Sequence, residues 1–174
     1  MRRKIQLVPA ARGSLRGVLS FVSLLAMTLA AGGCRHLQYI ENTKVVDTPA
    51  NRAVIEVVEQ YRRAMEQKDV ARVLTLVDPT YSDQSGTPEP VDDLDYTSLK
   101  RALRERLGRC DRVRYRLEYQ AVAVRGRAAT VDVWIDATFV YQQPNTPPIF
   151  RRFTDYHRYQ LFQAERRWRF VSGL

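Results

Sequence analysis

Polar and apolar positions follow three successive regimes along the chain. The first is a charge-free apolar run of 14 residues, Val18 to Ala31. The second has helical periodicity. Between Asn51 and Lys68, Val54, Val57, Val58, Tyr61 and Met65 recur at helical spacing and predict one amphipathic helix. Thr48-Pro49 supplies its start, with Thr as N-cap and Pro at the first helical position. Asp69 caps a second, short helix with apolar positions Val70, Val73, Leu74 and Val77. Asp78-Pro79 ends it, since a residue before proline is driven from helical dihedrals. A loop from Asp78 to Asp95 follows. The third helix runs from about Tyr96 to Leu107 on a Leu99, Leu103, Leu107 stripe, and Gly108 stands where a C-terminal cap belongs.

In the third regime, from Asp111 onward, the period is two. Val113, Tyr115, Leu117, Tyr119 and Ala121 alternate with Arg112, Arg114, Arg116, Glu118 and Gln120. After Arg125-Gly126-Arg127, Ala129, Val131, Val133, Ile135, Ala137 and Phe139 alternate with polar neighbours and Trp134. A three-residue loop there pairs odd positions with odd ones, which gathers the apolar residues on one face. It also brings Arg114 and Arg116 near Asp136 on the other face. A third long strand, Ile149 to Gln163, and a last one, Arg167 to Ser172, complete the pattern around a tight turn at Glu165-Arg166. Helices first and strands afterwards predict an α+β fold, with the helices packed on one face of an antiparallel sheet.

This order resembles the nuclear transport factor 2-like superfamily, which includes polyketide-cyclase-like and ketosteroid-isomerase-like proteins. The resemblance rests on Val57-Val58-Glu59-Gln60-Tyr61-Arg62-Arg63-Ala64-Met65-Glu66-Gln67-Lys68-Asp69, on Val70 to Asp83, and on the closing Arg167-Trp168-Arg169-Phe170-Val171-Ser172. It covers about Asn51 to Leu174. Arg166 stands where the family often has Gly before its basic-Trp pair. The resemblance implies N-terminal helices on a curved sheet, cone-shaped, with a pocket between them.

Charge changes the reading of the N-terminus. The chain carries +9 overall, but five of its 28 basic residues precede Cys34 and no acid does. From Cys34 on, 23 bases face 19 acids, a mild +4 that gives no footing for nucleic acid. A basic n-region, the apolar run and Ala31-Gly32-Gly33 describe a signal peptide over residues 1–33. The run is too short for a spanning helix. Leu29-Ala30-Ala31-Gly32-Gly33-Cys34 resembles a bacterial lipobox, with Ala31 where Leu, Val or Ile is usual. The resemblance implies lipidation of Cys34 and a membrane-anchored lipoprotein. Arg35 after the cysteine favours the outer membrane, facing the periplasm. A plain secretory signal with an incidental cysteine is the alternative. Residues 34–50 then read as a lipidated tether and residues 51–174 as the domain. Cys110 reads as a small buried residue at a helix–strand junction.

Candidate chemistry is sparse. With Glu165-Arg166 as a two-residue turn, Leu161 pairs with Phe170 and Tyr159 with Ser172. Phe153, Asp155, His157 and Tyr159 then face the pocket with Tyr115, Tyr119, Phe139 and Trp168. Asp155 and His157 could form a general acid–base pair in which the carboxylate orients the imidazole. The alternative is a hydrogen-bonded polar pair at the cone mouth, with no catalytic residue at all. His36 and His157 are the only histidines and lie far apart, so no metal site is expected, and no motif calls for a cofactor. Lys100 to Arg127 holds ten bases against three acids. It reads as a solvated face opposite the acidic loop, or as a contact for anionic lipid headgroups. The expected function is a binding or accessory domain of the envelope, with a small apolar ligand in the pocket. Trp134, on the outer sheet face, would meet a second copy or an envelope partner. The alternative is a small lyase, isomerase or hydrolase using Asp155 and His157.

Overall fold

The computed structural model describes residues 37–84, 94–142 and 144–174. Cys34, His36 and the expected signal peptide over residues 1–33 lie outside them.

Helix α1 spans Pro49–Gln67. The Thr48 hydroxyl accepts the amide hydrogen of Asn51 at 3.1 Å, as its N-cap role requires. The helix buries Val54, Ile55, Val58, Tyr61, Ala64 and Met65. It stops at Lys68, which takes the left-handed conformation usual after a helix C-terminus (φ 58). Asp69 caps α2 (Val70–Thr75), accepting from the Arg72 amide at 2.9 Å. A two-residue ladder, β1 (Ser82–Asp83) with β2 (Leu94–Asp95), lies within what the sequence presents as loop. Helix α3 is Tyr96–Arg109, capped by Asp95. Gly108 is not its cap. It sits inside the last turn, and the chain leaves through an extended Cys110 whose buried thiol faces the Arg106 carbonyl at 3.1 Å.

Strands β3 (Arg112–Arg125), β4 (Ala128–Tyr141), β5 (Ile149–Ala164) and β6 (Arg167–Ser172) form one antiparallel sheet in sequential order. The β3–β4 turn is shorter than the sequence suggests. Arg125 pairs with Ala128, leaving a two-residue loop with Gly126 at φ 60. A bulge at Gln120 then restores odd-to-odd pairing, so Tyr119 meets Val133 and Tyr115 meets Ala137. The slip has a local cost to the expected pattern. Ala121 turns outward, while Val122 and Val124 pack against the core instead. A second bulge opposes Gln160, not Tyr159, to Ser172, although Leu161 pairs with Phe170 as expected.

Both sheet edges are covered, as exposed edges invite unwanted pairing. On β3, Glu66 of α1 accepts the free Tyr115 amide at 2.9 Å, and Tyr119 donates its hydroxyl to Glu59 at 2.9 Å. On β6, Phe170 exchanges backbone hydrogen bonds of 2.9 Å with Leu76 and Asp78. On the convex face Arg116 stands opposite Asp136 and Arg114 nearby, as expected, while the two-pronged hydrogen bonds to Asp136 come from Arg152 of β5 and those to Asp132 from Arg158.

The packed unit begins earlier than the sequence indicates. Leu37 to Asp47 is not free tether. A turn closes with Ile40 N–H donating to Val45 at 2.9 Å, and Val45 is only 2% exposed within the core. The compact unit is Leu37–Leu174. One apolar side chain at the end of a polar stretch carries little periodicity, which is why sequence spacing misses this segment.

Candidate functional site: a cavity between the helices and the concave sheet face

The alternation of β5 sends Arg151, Phe153, Asp155, His157, Tyr159 and Leu161 toward the helices, since they oppose the inward Phe139, Ala137, Ile135, Val133, Val131 and Ala129 of β4. Helices α1 and α3 cover this face only in part, and a cavity of about 550 Å³ remains. That volume lies within the range of small-molecule sites. Its floor is aromatic. Tyr61 meets Tyr115 and Tyr159 edge-on, each at 5.9 Å between centroids, and the Tyr115 and Tyr159 hydroxyls lie 3.5 Å apart. Met65, Leu99 and Leu103 form the helical wall, and Phe139 and Phe153 the sheet wall. Burial pushes the hydroxyls of Tyr61, Tyr115 and Tyr159 well above the usual phenol range. They stay neutral, able to donate hydrogen bonds but not to act as bases.

Of the residues expected at the pocket, Tyr115, Phe139, Phe153, His157 and Tyr159 line the cavity. Three are elsewhere. Tyr119 is buried beside it and commits its hydroxyl to Glu59, and that burial raises its pKa. Trp168 is packed in the core, opposite Gln163. Asp155 faces the same side as His157, but its side chain stands in solvent at the rim. Its Oδ2 is 3.6 Å from His157 Nε2, while His157 Nδ1 faces the Gly173 carbonyl at 3.5 Å. Both separations exceed ordinary hydrogen bonds. The imidazole is thus held between two acceptors at the cavity wall, beside the Phe153 ring at 5.8 Å.

Sequence reasoning missed Arg106 of α3 and Arg151 of β5, which flank the opening with Tyr141. The signal was present in both cases. Arg106 lies three residues after Leu103 at the border of the buried stripe, and Arg151 continues the odd-numbered series of Phe153. Trp134 is 41% exposed on the convex face, paired with the still more open Tyr156. Among the described residues no group of His, Cys, Asp and Glu could hold a metal ion. No helix there is long and apolar enough to cross a membrane.

No protein-family model matches the sequence, and no curated protein is significantly similar to it. Solved structures are similar. A proposed dehydratase of the NTF2-like family from Streptomyces avermitilis is 16% identical with a TM-score of 0.60, covering 72% of this chain and 95% of its own. A conserved protein from Planctomyces limnophilus is 10% identical with a TM-score of 0.62, covering 71% and 92%. A proposed scytalone dehydratase from Novosphingobium aromaticivorans is 13% identical with a TM-score of 0.57, covering 71% and 80%. The fold of this chain is the nuclear transport factor 2-like α+β cone, an architecture that serves both enzymes and binding proteins.

Proposed function

We propose that this chain is an exported lipoprotein, acylated at Cys34 and held at a membrane, whose cone domain binds a small, largely apolar ligand without transforming it. The cavity carries this reading. About 550 Å³ of space is walled by Met65, Leu99, Leu103, Phe139 and Phe153 over a neutral tyrosine floor, with no carboxylate among its described lining. Such a lining favours retention of an apolar body over acid–base work. Native mass spectrometry of protein extracted from membranes tests it, with a co-purified small molecule expected and an empty cavity in every preparation contrary to it.

The location rests on the leader and on Leu29 to Cys34. Two or three acyl chains at about 0.8 kcal/mol per buried CH₂ anchor a protein stably. The exposed Leu37 and Tyr39 follow Cys34 closely in the chain and suit contact with a membrane surface. Arg35 favours the outer membrane. Cys34→Ala is expected to shift the protein from the membrane to the soluble fraction or to block processing.

A second reading keeps the fold and adds chemistry. The His157 ring lines the cavity with Asp155 behind it at 3.6 Å, an arrangement that suits a lyase, isomerase or hydrolase. Candidate substrates turned over by the native protein but not by His157→Gln would establish it. The exposed Trp134–Tyr156 pair fits a second copy or an envelope partner on the convex face, and Trp134→Ala is then expected to shift the assembly state in sedimentation.

A further inference from the structure

We infer that the cavity takes an amphiphilic anion, with its apolar body among the tyrosines and leucines and its charged head between Arg106 and Arg151. The inference deepens the proposed binding role and rests on it. Arg106 and Arg151 border the 550 Å³ cavity and also an outer recess that adds Arg109 and Ile149. The two spaces share Ala102, Arg106, Tyr141 and Arg151 and so adjoin. The inner one is largely apolar and the outer one largely basic. The only acid along either among the described residues is Glu105.

Among the described residues these charges also lack a carboxylate partner. Arg52, Arg62, Arg152 and Arg158 each hold a carboxylate within 3.0 Å or less. Arg106, Arg109 and Arg151 make no ion pair with any described residue. Arg152 shows the contrast within one strand, since it too borders the cavity but is occupied by Asp136, while its neighbour Arg151 holds no carboxylate among the described residues. The Arg106 charge reaches inward as well. It opposes the upward pKa shifts of Tyr61 and Tyr115 on the floor, and with Arg151 that of Tyr141 at the rim. A guanidinium pair over an apolar slot matches a planar carboxylate on a hydrocarbon, which Arg binds in two-pronged fashion, and it also suits a phosphate head.

The test is titration calorimetry on the full chain in phosphatidylcholine nanodiscs, with empty nanodiscs subtracted, using octanoate, octyl phosphate and octanol. Octanoate or octyl phosphate is expected to bind about ten- to a hundredfold tighter than octanol, as charge-assisted hydrogen bonds allow. The order of the two anions tells a free acid from a lipid headgroup. The double variant Arg106→Gln/Arg151→Gln is expected to lose that preference while keeping the octanol affinity. Arg125→Gln, a single charge removed at the distant β3–β4 turn, is expected to change nothing. Octanol binding as tightly as both anions overturns the anion inference and leaves the binding role standing. No binding of any of the three overturns both.

Discussion

The two halves of β5 lie on the same strand and behave differently. From Ile149 to Tyr156 every residue is exposed, on both faces of the sheet. From His157 onward the inward positions close, and Tyr159 and Leu161 are fully buried. Alternation is the same in both halves. What differs is the surroundings: Tyr61 of α1 packs over the second half and β6 pairs beside it, while the first half looks onto the cavity mouth. Stability is therefore concentrated at one end of the sheet and the proposed ligand contact at the other, and substitutions along a single strand can separate the two.

The largest expected effect tests that separation. Phe170→Ala, at the closed end, is expected to cost about 3–5 kcal/mol in urea unfolding, as for other buried aromatics. Phe153→Ala, 43% exposed at the mouth, is expected to cost about 1 kcal/mol or less while weakening ligand binding. Equal costs for the two would erase the distinction. Gly173 provides a second strong test. Its φ is 93, and a Cβ added at this position would stand only 2.2 Å from the Arg158 carbonyl oxygen, so there is no room for a side chain. Gly173→Ala is expected to displace the carbonyl that faces His157, visible as a shifted imidazole resonance in NMR, together with lower thermal stability.

Smaller effects lie at the edges. Glu66→Ala strips the Tyr115 amide of its acceptor on edge strand β3, at an expected loss of about 1–3 kcal/mol measured by chemical denaturation. In the β5–β6 turn, Glu165 and Arg166 both hold positive φ (49 and 64), the conformation that Asn-Gly adopts readily. Glu165→Asn/Arg166→Gly is expected to stabilise by about 1 kcal/mol, read as a rise in Tm. The smallest effect concerns acid. Hydrogen bonds from Arg158 and Arg152 hold Asp132 and Asp136 below the usual carboxylate range. A lowered folded pKa gives stability that is complete above the unfolded pKa of about 3.9 and lost as pH falls through the folded one. Asp132→Asn/Asp136→Asn is therefore expected to flatten the fall of Tm below about pH 4, and to do so modestly because the pairs are solvent-screened.

Much of the fold is legible in the chain itself. Thr48, Asp69 and the Leu99-Leu103-Leu107 stripe mark their helices because capping and helical periodicity are local properties. The odd-numbered face of β5 follows from alternation, so Phe153, His157 and Tyr159 can be placed together. The expected β3–β4 register is right for a partly wrong reason. A two-residue turn and a bulge at Gln120 reproduce the pairing that a three-residue turn alone would give, and they invert Ala121 and Val122 in doing so.

By itself the sequence determined the helix starts, the strand alternation and the α+β order, because each is written in neighbouring residues. Tertiary structure alone decided that Val45 joins the core, that Trp168 and Tyr119 leave the cavity while Arg106 and Arg151 frame it, and that Asp136 pairs with Arg152. These outcomes depend on how distant segments meet across bulges and bends. A side chain's periodicity states which face it occupies but not what stands opposite.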